Sequence, residues 1–408
     1  MEAVTEIKEG YKKTKIGWIP EDWNVGLLGE VTTLKRGRFS PRPRNDPKYY
    51  NGQIPFVQTG DVTNSKGRVN TYTQTLNEEG LKVSVLFKKG TILITIAANI
   101  GHCSILEFDM ACPDSLIGIE CGSKIHNEFL NYYMHTQQRR IDYLAPAGAQ
   151  KNINVEFLKP LKIVVPPLPE QQKIAKILST WDKAIEQSQK LIEQLNSRKK
   201  GLMQQLLTGK TRLKGFSGEW KEVKLGEYFK QRNETNHIEL PLLSVGINGV
   251  YPQDDSVKKD TSNSDKSKYK RICVGDIGYN TMRMWQGRSA LSKLEGIVSP
   301  AYTIVTPNKN ADSLFFSYLF KLDYVVHRFY RYSQGLVSDT WQCRFNDFKK
   351  VKVLCPPTIE EQQAIAKVLT TADNEIKTQE TYLQQLQDQK KGLMQQLLTG
   401  QKRVKVNN

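Results

Sequence analysis

The sequence is short of several features that would settle its class at once. Among 408 residues there are six cysteines, Cys103, Cys112, Cys121, Cys273, Cys343 and Cys355, and no two form a CxxC pair. That spacing argues against a disulfide framework and for free thiols in a reducing compartment. His102, Cys103, Cys112, Cys121 and His126 crowd one stretch, but their spacing fits no zinc knuckle, so no metal is expected. Long apolar runs are missing too. The longest, 91–100, is about half a membrane span. The first fifteen residues, MEAVTEIKEGYKKTK, hold no apolar segment of a secretory signal, so a cytoplasmic location is expected.

Catalytic signatures are equally scarce. An amino-methyltransferase needs Asn or Asp before a Pro pair and an aromatic after it. The two Pro pairs here, Val165-Pro166-Pro167-Leu168 and Cys355-Pro356-Pro357-Thr358, fail at both flanks. Gly209-Lys210-Thr211 resembles the end of a phosphate-binding loop. However, Gln204 stands where that loop needs its first glycine, and the segment closes a helix instead of following a strand. The histidines at 102, 126, 135, 237 and 327 form no HExxH or similar pattern. The chain therefore reads as non-catalytic.

What it has is positive charge and a repeat. Lys and Arg number 59 against 42 Asp and Glu, a net charge of +17, and the pI is about 9.4. An anionic partner is expected, with nucleic acid first and a membrane surface second. The charge is shared by several segments and not confined to one tail. Apolar residues make up 38%, enough for globular folding, and the length predicts two or three domains.

The repeat is EQQKIAKILSTWDKAIEQSQKLIEQLNSRKKGLMQQLLTG, ending at Gly209, and EQQAIAKVLTTADNEIKTQETYLQQLQDQKKGLMQQLLTG, ending at Gly400. Of 40 positions 23 are identical at a constant offset of 191, and the last eleven match completely. Each copy follows a short apolar strand and a Pro pair. A weaker echo opens each half, where Trp23, Leu28, Gly29 and Glu30 recur as Trp220, Leu225, Gly226 and Glu227.

Both copies carry a ladder of alternating four- and three-residue steps. The first is Ile174, Leu178, Trp181, Ile185, Ser188, Ile192, Leu195, Lys199, Leu202 and Leu206. The second is Ile365, Leu369, Ala372, Ile376, Gln379, Leu383, Leu386, Lys390, Leu393 and Leu397. This is the spacing of a coiled-coil seam. The polar breaks fall on equivalent rungs, which favours pairing of the two helices over separate docking. Roughly 38 helical residues would span about 57 Å, and duplicated halves suggest an antiparallel pair. The expected fold class is α+β: two globular domains separated by two long helices that form an antiparallel coiled-coil spacer, with an internal pseudo-two-fold repeat. The segments are 1–165, 166–213, 214–355, 356–401 and a basic tail, 402–408.

Each variable block mixes strand-like runs with Gly and Asn turns. Strands are expected at 54–59, 83–87, 91–97, 116–120, 240–245, 272–274 and 301–305, and one late helix per block at 127–140 and 311–330. Basic clusters mark candidate DNA contacts. LKRGRFSPRPRNDPKYY offers Lys35, Arg36, Arg38, Arg42, Arg44, Lys48 and Tyr49, and its three prolines predict an exposed loop. Gln150 and Lys151 come later in the same block. The second block supplies Arg283, Trp285, Gln286 and Arg288, then Arg328, Arg331 and Gln334. Arg can read guanine and Gln adenine bidentately in a major groove.

The Pro-Pro…Glu-Gln-Gln-x-Ile-Ala-x-x-Leu helix starts, the KKGLMQQLLTG ends and the Trp…Leu-Gly-Glu openings together resemble the specificity subunit of type I restriction-modification enzymes. The stretch from Tyr49 to Val57, Thr59-Gly60-Asp61, and Gly148-Ala149-Gln150-Lys151-Asn152-Ile153-Asn154 are similar to parts of its target-recognition domains. In the second block Pro241 and Gly246 can be aligned with Pro55 and Gly60, but the Gly-x-Gln-x-Asn-Ile-Asn run has no clear copy. The resemblance implies that each block is a target-recognition domain reading one half of a bipartite, asymmetric DNA site, with the helices setting the gap. It implies two methyltransferase (modification) subunits that use S-adenosylmethionine. It also implies motor-nuclease (restriction) subunits that use ATP and Mg²⁺. No cofactor is expected in this chain itself. The rival readings are a stand-alone DNA-binding regulator, which would bind specifically without partners, and a self-contained DNA-modifying enzyme, which would act alone with a metal or cofactor.

Overall fold

The computed structural model describes residues 9–146, 151–247, 249–255, 264–335 and 341–406. Its principal helices are α1 (Asn127–Leu144), α2 (Leu168–Leu206), α3 (Ser313–Leu319), α4 (Asp323–Tyr332) and α5 (Ile359–Leu397). The chain divides into two compact units, 1–187 with 383–408, and 188–382. Each unit thus holds one variable block, one half of α2 and one half of α5. Among the described residues no helix is long and apolar enough to cross a membrane.

In the first unit the run Ile92–Thr95 is buried at every residue, which suits the centre of a sheet. Five strands lie in the order Thr32–Arg36, Leu116–Cys121, Ile92–Thr95, Cys103–Leu106, Arg68–Val69, antiparallel except for the last pair. A second sheet, Gln74–Leu76, Tyr50–Phe56, Met110–Cys112, Val85–Phe87, lies against it. Gly118 makes that approach possible: a Cβ there would lie 2.2 Å from the Phe87 ring. The main core joins the five-stranded sheet to α1 through Phe129, Leu130, Met134 and Ile141, to the start of α2 through Ile174 and Leu178, and to the end of α5 through Leu397 and Leu398.

The second unit repeats the strand order. Phe229–Arg232, Tyr302–Pro307, Ile277–Asn280 and Ser289–Leu291 form its main sheet. Its core is aromatic, with Phe229, Phe316, Phe320, Phe329, Phe348 and Tyr279 in mutual ring contact. The single helix expected at 311–330 is two helices. Asp312 caps α3 by accepting from the Phe315 amide at 2.7 Å, and the chain turns extended at Leu322 before α4. The break lets Phe320 enter the aromatic core while Lys321 reaches the other way, to the carbonyls of Gly287 and Ser289. The strand expected at 272–274 ends at Ile272 (Lys270–Ile272), because Gly275 takes a left-handed turn.

The apolar strand before each Pro pair closes its block. Lys162–Val165 pairs with Asn24–Leu27, and Lys352–Cys355 with Lys221–Lys224. The Thr-Gly ends of the repeat are helix stops. Gly209 and Gly400 adopt φ of 70° and 72°, and the amides of Thr211 and Lys402 return to Gln205 and Gln396 at 3.2 and 3.1 Å. At Gly400 a Cβ would also lie 2.4 Å from Pro20.

None of the twenty ladder rungs is exposed. In the first helix Ile174, Leu178 and Leu206 are buried, and Trp181, Ile185, Ile192, Leu195 and Leu202 are half-buried. In the second, Ile365, Leu369, Ile376, Leu386 and Leu397 are buried, and Leu383 and Leu393 half-buried. The polar rungs all find partners. Gln379 donates to Ser188 at 2.9 Å, Lys199 pairs with Asp373, and Lys390 with Asp182. Partner numbers fall as residue numbers rise in both units, so the helix segments run antiparallel in each.

Candidate nucleic-acid interface

The repeated Glu-Gln-Gln is a clamp that ties each variable block to its long helices. Glu170 is 2% exposed; it accepts from the Trp23 indole at 2.8 Å and from Arg403 at 2.8 and 2.9 Å. Glu361 is 1% exposed; it accepts from Arg212 at 2.5 and 2.7 Å and from the Trp220 indole at 3.3 Å. Arg403 also holds Asp22, so the basic tail docks onto the first block as far as this residue. The next residue of the motif grips the start of a helix. Gln171 accepts from the His126 amide at 2.8 Å and donates to Lys124 and Pro166. Gln362 accepts from the Asp312 amide at 2.8 Å and donates to Asn310. The starts of α1 and α3 are thereby fixed to the long helices.

A tyrosine further along each of these helices repeats the logic. Tyr132 donates to Asp182 at 2.6 Å and Tyr318 to Asp373 at 2.5 Å, with Lys390 and Lys199 over the respective rings. Burial, then the bond to Asp373, pushes the Tyr318 hydroxyl up to about 12. His135, one turn after Tyr132, is partly buried. Burial, with Lys390 nearby, depresses its pKa from 6.5 to about 4. The unfolded chain therefore binds this proton at a higher pH than the folded one. The contribution is fully present above about pH 6.5 and is lost as pH falls towards 4, by at most about 3 kcal/mol. Urea unfolding between pH 7 and 4 should show a shallower acid loss in His135→Asn than in the natural chain. Parallel pH profiles would contradict this.

Three segments then converge in each unit. The first is the loop between the third and fourth strands of the main sheet in the order given above, residues 96–102 and 281–288. The second is the C-terminal end of the clamped helical region, around Tyr143 and around Tyr330. The third is the segment at 151–154 and 341–344, whose Ile153 and Cys343 amides donate to Ile96 and Thr281 at 3.0 and 2.9 Å. The loops are pinned from the helices: Gln138 donates to the Ile100 carbonyl at 2.8 Å, and Lys321 to Gly287 at 2.8 Å. Tyr143 is 85% exposed, Leu144 50% and Tyr330 42%, an unusual display beside cations.

The second-block candidates fall on this surface. Arg283, Gln286, Arg288 and Arg331 are exposed. Trp285 is held differently from an outward-pointing contact. It donates to Met282 at 2.9 Å and packs on Trp341 and Tyr330 at 5.4 and 6.5 Å. Gln334 bridges to Gln342 and donates to Asp347 at 3.4 Å. Arg328 lies apart, bound to Glu222 and the Lys352 carbonyl. A cleft of about 430 Å³ opens beside the loop, lined by Gln231, Lys270, Thr281, Gln342 and Arg344 among others.

In the first block the expected exposed loop at 35–50 is only partly a loop. Lys35 and Arg36 sit in the edge strand Thr32–Arg36, side chains outward, and Phe39 is buried against Tyr49, Tyr50 and Phe56. The loop expected from the prolines is confined to the irregular stretch 40–46, which holds Pro41 and Pro43; the residues before it are fixed by the pairing of Thr32–Arg36 with Leu116–Cys121 and by the Phe39 pocket. Arg36, Arg38 and Arg42 donate to backbone carbonyls, Arg44 pairs with Asp114 at 2.8 Å, and Lys48 lies over the Tyr49 ring. A cleft of about 420 Å³ beside this arm is lined by Asn45, Tyr50, Tyr72 and Gln74 among others. Lys151 is exposed and pairs with Asp142 at 3.0 Å. Gln150, with Gly148 and Ala149, lies outside the described residues.

Sequence reasoning passes over the loop at 96–102, Tyr143, Lys321 and Trp341. The apolar run 91–100 hides the first; its Ala-Ala-Asn and following Gly are the available turn signal. The last three residues of the Gly-x-Gln-x-Asn-Ile-Asn run have a backbone counterpart in the second block, with Gln342, Cys343 and Arg344 standing where Asn152, Ile153 and Asn154 stand in the first.

Comparison with known proteins agrees with this architecture. The type I restriction modification DNA specificity domain matches the chain twice, over residues 20–197 and 217–388. The putative type I restriction enzyme MjaX specificity subunit of Methanocaldococcus jannaschii is 30% identical, covering 98% of this chain and 98% of that one. The MjaVIII specificity subunit of the same organism is 25% identical over 98% and 97%. Among solved structures, the S subunit of a type I restriction-modification system from M. genitalium aligns with a TM-score of 0.57 and 16% identity, over 92% and 96% of the chains. The HsdS subunit from Thermoanaerobacter tengcongensis aligns at 0.52 and 16%, over 94% and 98%. At these identities the likeness to the solved structures is one of fold.

Proposed function

Because the chain belongs to the type I restriction-modification DNA specificity family, we propose that it is the DNA-reading subunit of such a complex. Each unit reads one half of a split, asymmetric site, and the paired helices set the length of DNA left unread between the halves. The observation that carries this reading is the repeated surface of pinned loop, helix end and adjoining segment, built on one backbone plan with different side chains in the two units. One scaffold with two loop sets is what two unlike half-sites require.

Chemistry belongs to partners in this reading. Two modification subunits dock along the helices and methylate one adenine in each half-site with S-adenosylmethionine. Restriction subunits add translocation and cleavage with ATP and Mg²⁺. The exposed Gln- and Lys-rich faces of α2 and α5 are the surface available for docking.

The test is to co-express the chain with the modification subunit of its own system and map methylated adenines in the host DNA. One split motif, modified in both halves and lost when this chain is deleted, is the expected result. An active modification subunit that leaves no motif would sink the assignment. Exchanging residues 35–50 for the same segment of a relative should then alter one half of the motif only. An equal change in both halves would exclude two independent readers.

A further inference from the structure

The loop at 96–102 and 281–288 is where the two units part chemically. In the first unit it presents Ala97, Ala98 and Asn99, with Ile100 and Gly101 buried and His102 next in the chain. No guanidinium or ammonium stands on it. In the second unit the same loop is one residue longer and carries Arg283, Gln286 and Arg288, all exposed, with no acidic residue between 277 and 294.

Those two arginines are free where others in the unit are not. Arg232 is bound to Asp276, Arg271 to Glu295 and Arg328 to Glu222. Arg283 and Arg288 make no side-chain hydrogen bond or ion pair among the described residues, and neither does the neighbouring Arg331. Their backbone, by contrast, is fixed on several sides. Trp285 is wedged against Trp341 and Tyr330, Lys321 grips the carbonyls on both sides of Arg288, and Gly287 takes φ 73° against Val326. A fixed backbone removes the main-chain part of the ordering cost, so that only the side-chain rotamers of the two guanidinium forks remain to be ordered on binding.

Guanine is the base whose major-groove edge offers two acceptors, N7 and O6, to such a fork; adenine places a donor where O6 stands. We propose that residues 282–288 determine specificity in the second unit, and that the half-site it reads contains guanine contacted by Arg283 and Arg288. The half-site read by the first unit takes no guanidinium contact from the equivalent loop. This rests on the DNA-reading assignment above.

The experiment maps adenine methylation conferred by the natural chain and by Arg283→Ala, Arg288→Ala, Arg288→Lys and Asn99→Ala, each with the modification subunit. The natural motif should hold guanine in one half. Each Arg→Ala variant should relax a guanine position in that half, lowering discrimination there about tenfold to a hundredfold, with the other half and the gap unchanged. Arg288→Lys should relax it as well, since it keeps the charge and loses the fork. Asn99→Ala should affect the opposite half alone. A split motif that keeps its second half in all three Arg variants overturns the inference and leaves the DNA-reading assignment standing. So does full rescue by lysine, which marks a phosphate contact. A natural chain that confers no motif removes both.

Discussion

A chain carrying Leu195→Lys and Leu386→Lys together is expected to confer no methylation on either half-site. Each substitution strikes one unit: Leu195 lies in the second half of α2 and Leu386 in the last part of α5. Leu386 is 7% exposed and Leu195 half-buried, and both are ladder rungs. Each loses its apolar contact and brings an ammonium into the seam, a cost of about 3 kcal/mol or more per site. The damage is compounded by position. Leu195 stands four residues before Lys199, and Leu386 four before Lys390. The new lysines thus sit one turn from the cations that Asp373 and Asp182 already neutralise. Leu→Met at both sites should leave methylation near its natural level. The check is the host methylome together with thermal unfolding of the purified chain. A folded double-lysine variant that still modifies the natural site would refute a seam whose integrity governs recognition.

The ladder is readable because heptad periodicity is a local property, written over forty residues of one segment. The partners of its polar rungs are not. Asp373 lies 174 residues from Lys199, and nothing in the local pattern marks it as that lysine's counter-ion. The same limit explains the helix at 311–330. Its sequence is uniformly helix-compatible, and the break comes from the demands of Phe320 and Lys321, which point into different parts of the second unit. Read locally, Trp285 is an outward contact, because an aromatic among arginines looks like a base-stacking residue. Trp341 and Tyr330, which hold it, come 45 or more positions later. In the first block the prolines mark the irregular stretch 40–46, as composition suggests, but they do not set where it begins. Phe39 has a pocket between Tyr49 and Phe56, and the strand Thr32–Arg36 has a neighbour to pair with, so the arm begins as a strand and is anchored at Phe39 before the loop starts. Loops that read DNA are the least legible feature. Their residues are chosen against a ligand that leaves no mark on the chain's own periodicity, and only the backbone plan repeats.

The second large effect is expected from Glu361→Ala. This carboxylate is almost fully buried, and it satisfies both the Arg212 guanidinium and the Trp220 indole. Removing it leaves a partly buried cation without its counter-ion, held only by the Ser217 and Gly218 carbonyls, and a buried N–H without its acceptor, a loss of about 3–5 kcal/mol. For a unit of this size that lowers the melting temperature on the order of 10 °C. Glu361→Gln keeps one acceptor and the volume but not the charge, so its loss should be smaller. Combining Glu361→Ala with Arg212→Ala should cost less than the sum of the singles, because the second change removes the stranded cation. Glu170→Ala tests the same device in the first unit through Trp23 and Arg403. Limited proteolysis should localise the weakening, with new cleavage in 188–382 for Glu361→Ala and outside it for Glu170→Ala. A Glu361→Ala chain that melts within a degree of the natural one would mean that the motif is kept for something other than closing its unit. The clamp matters to recognition because Gln362, beside Glu361, holds the amide of Asp312 at the start of α3, and the α3–α4 pair carries Lys321 and Tyr330 to the loop at 281–288. Loosening Glu361 should therefore blur the half-site read by the second unit at temperatures where the chain is still folded, before methylation is lost altogether.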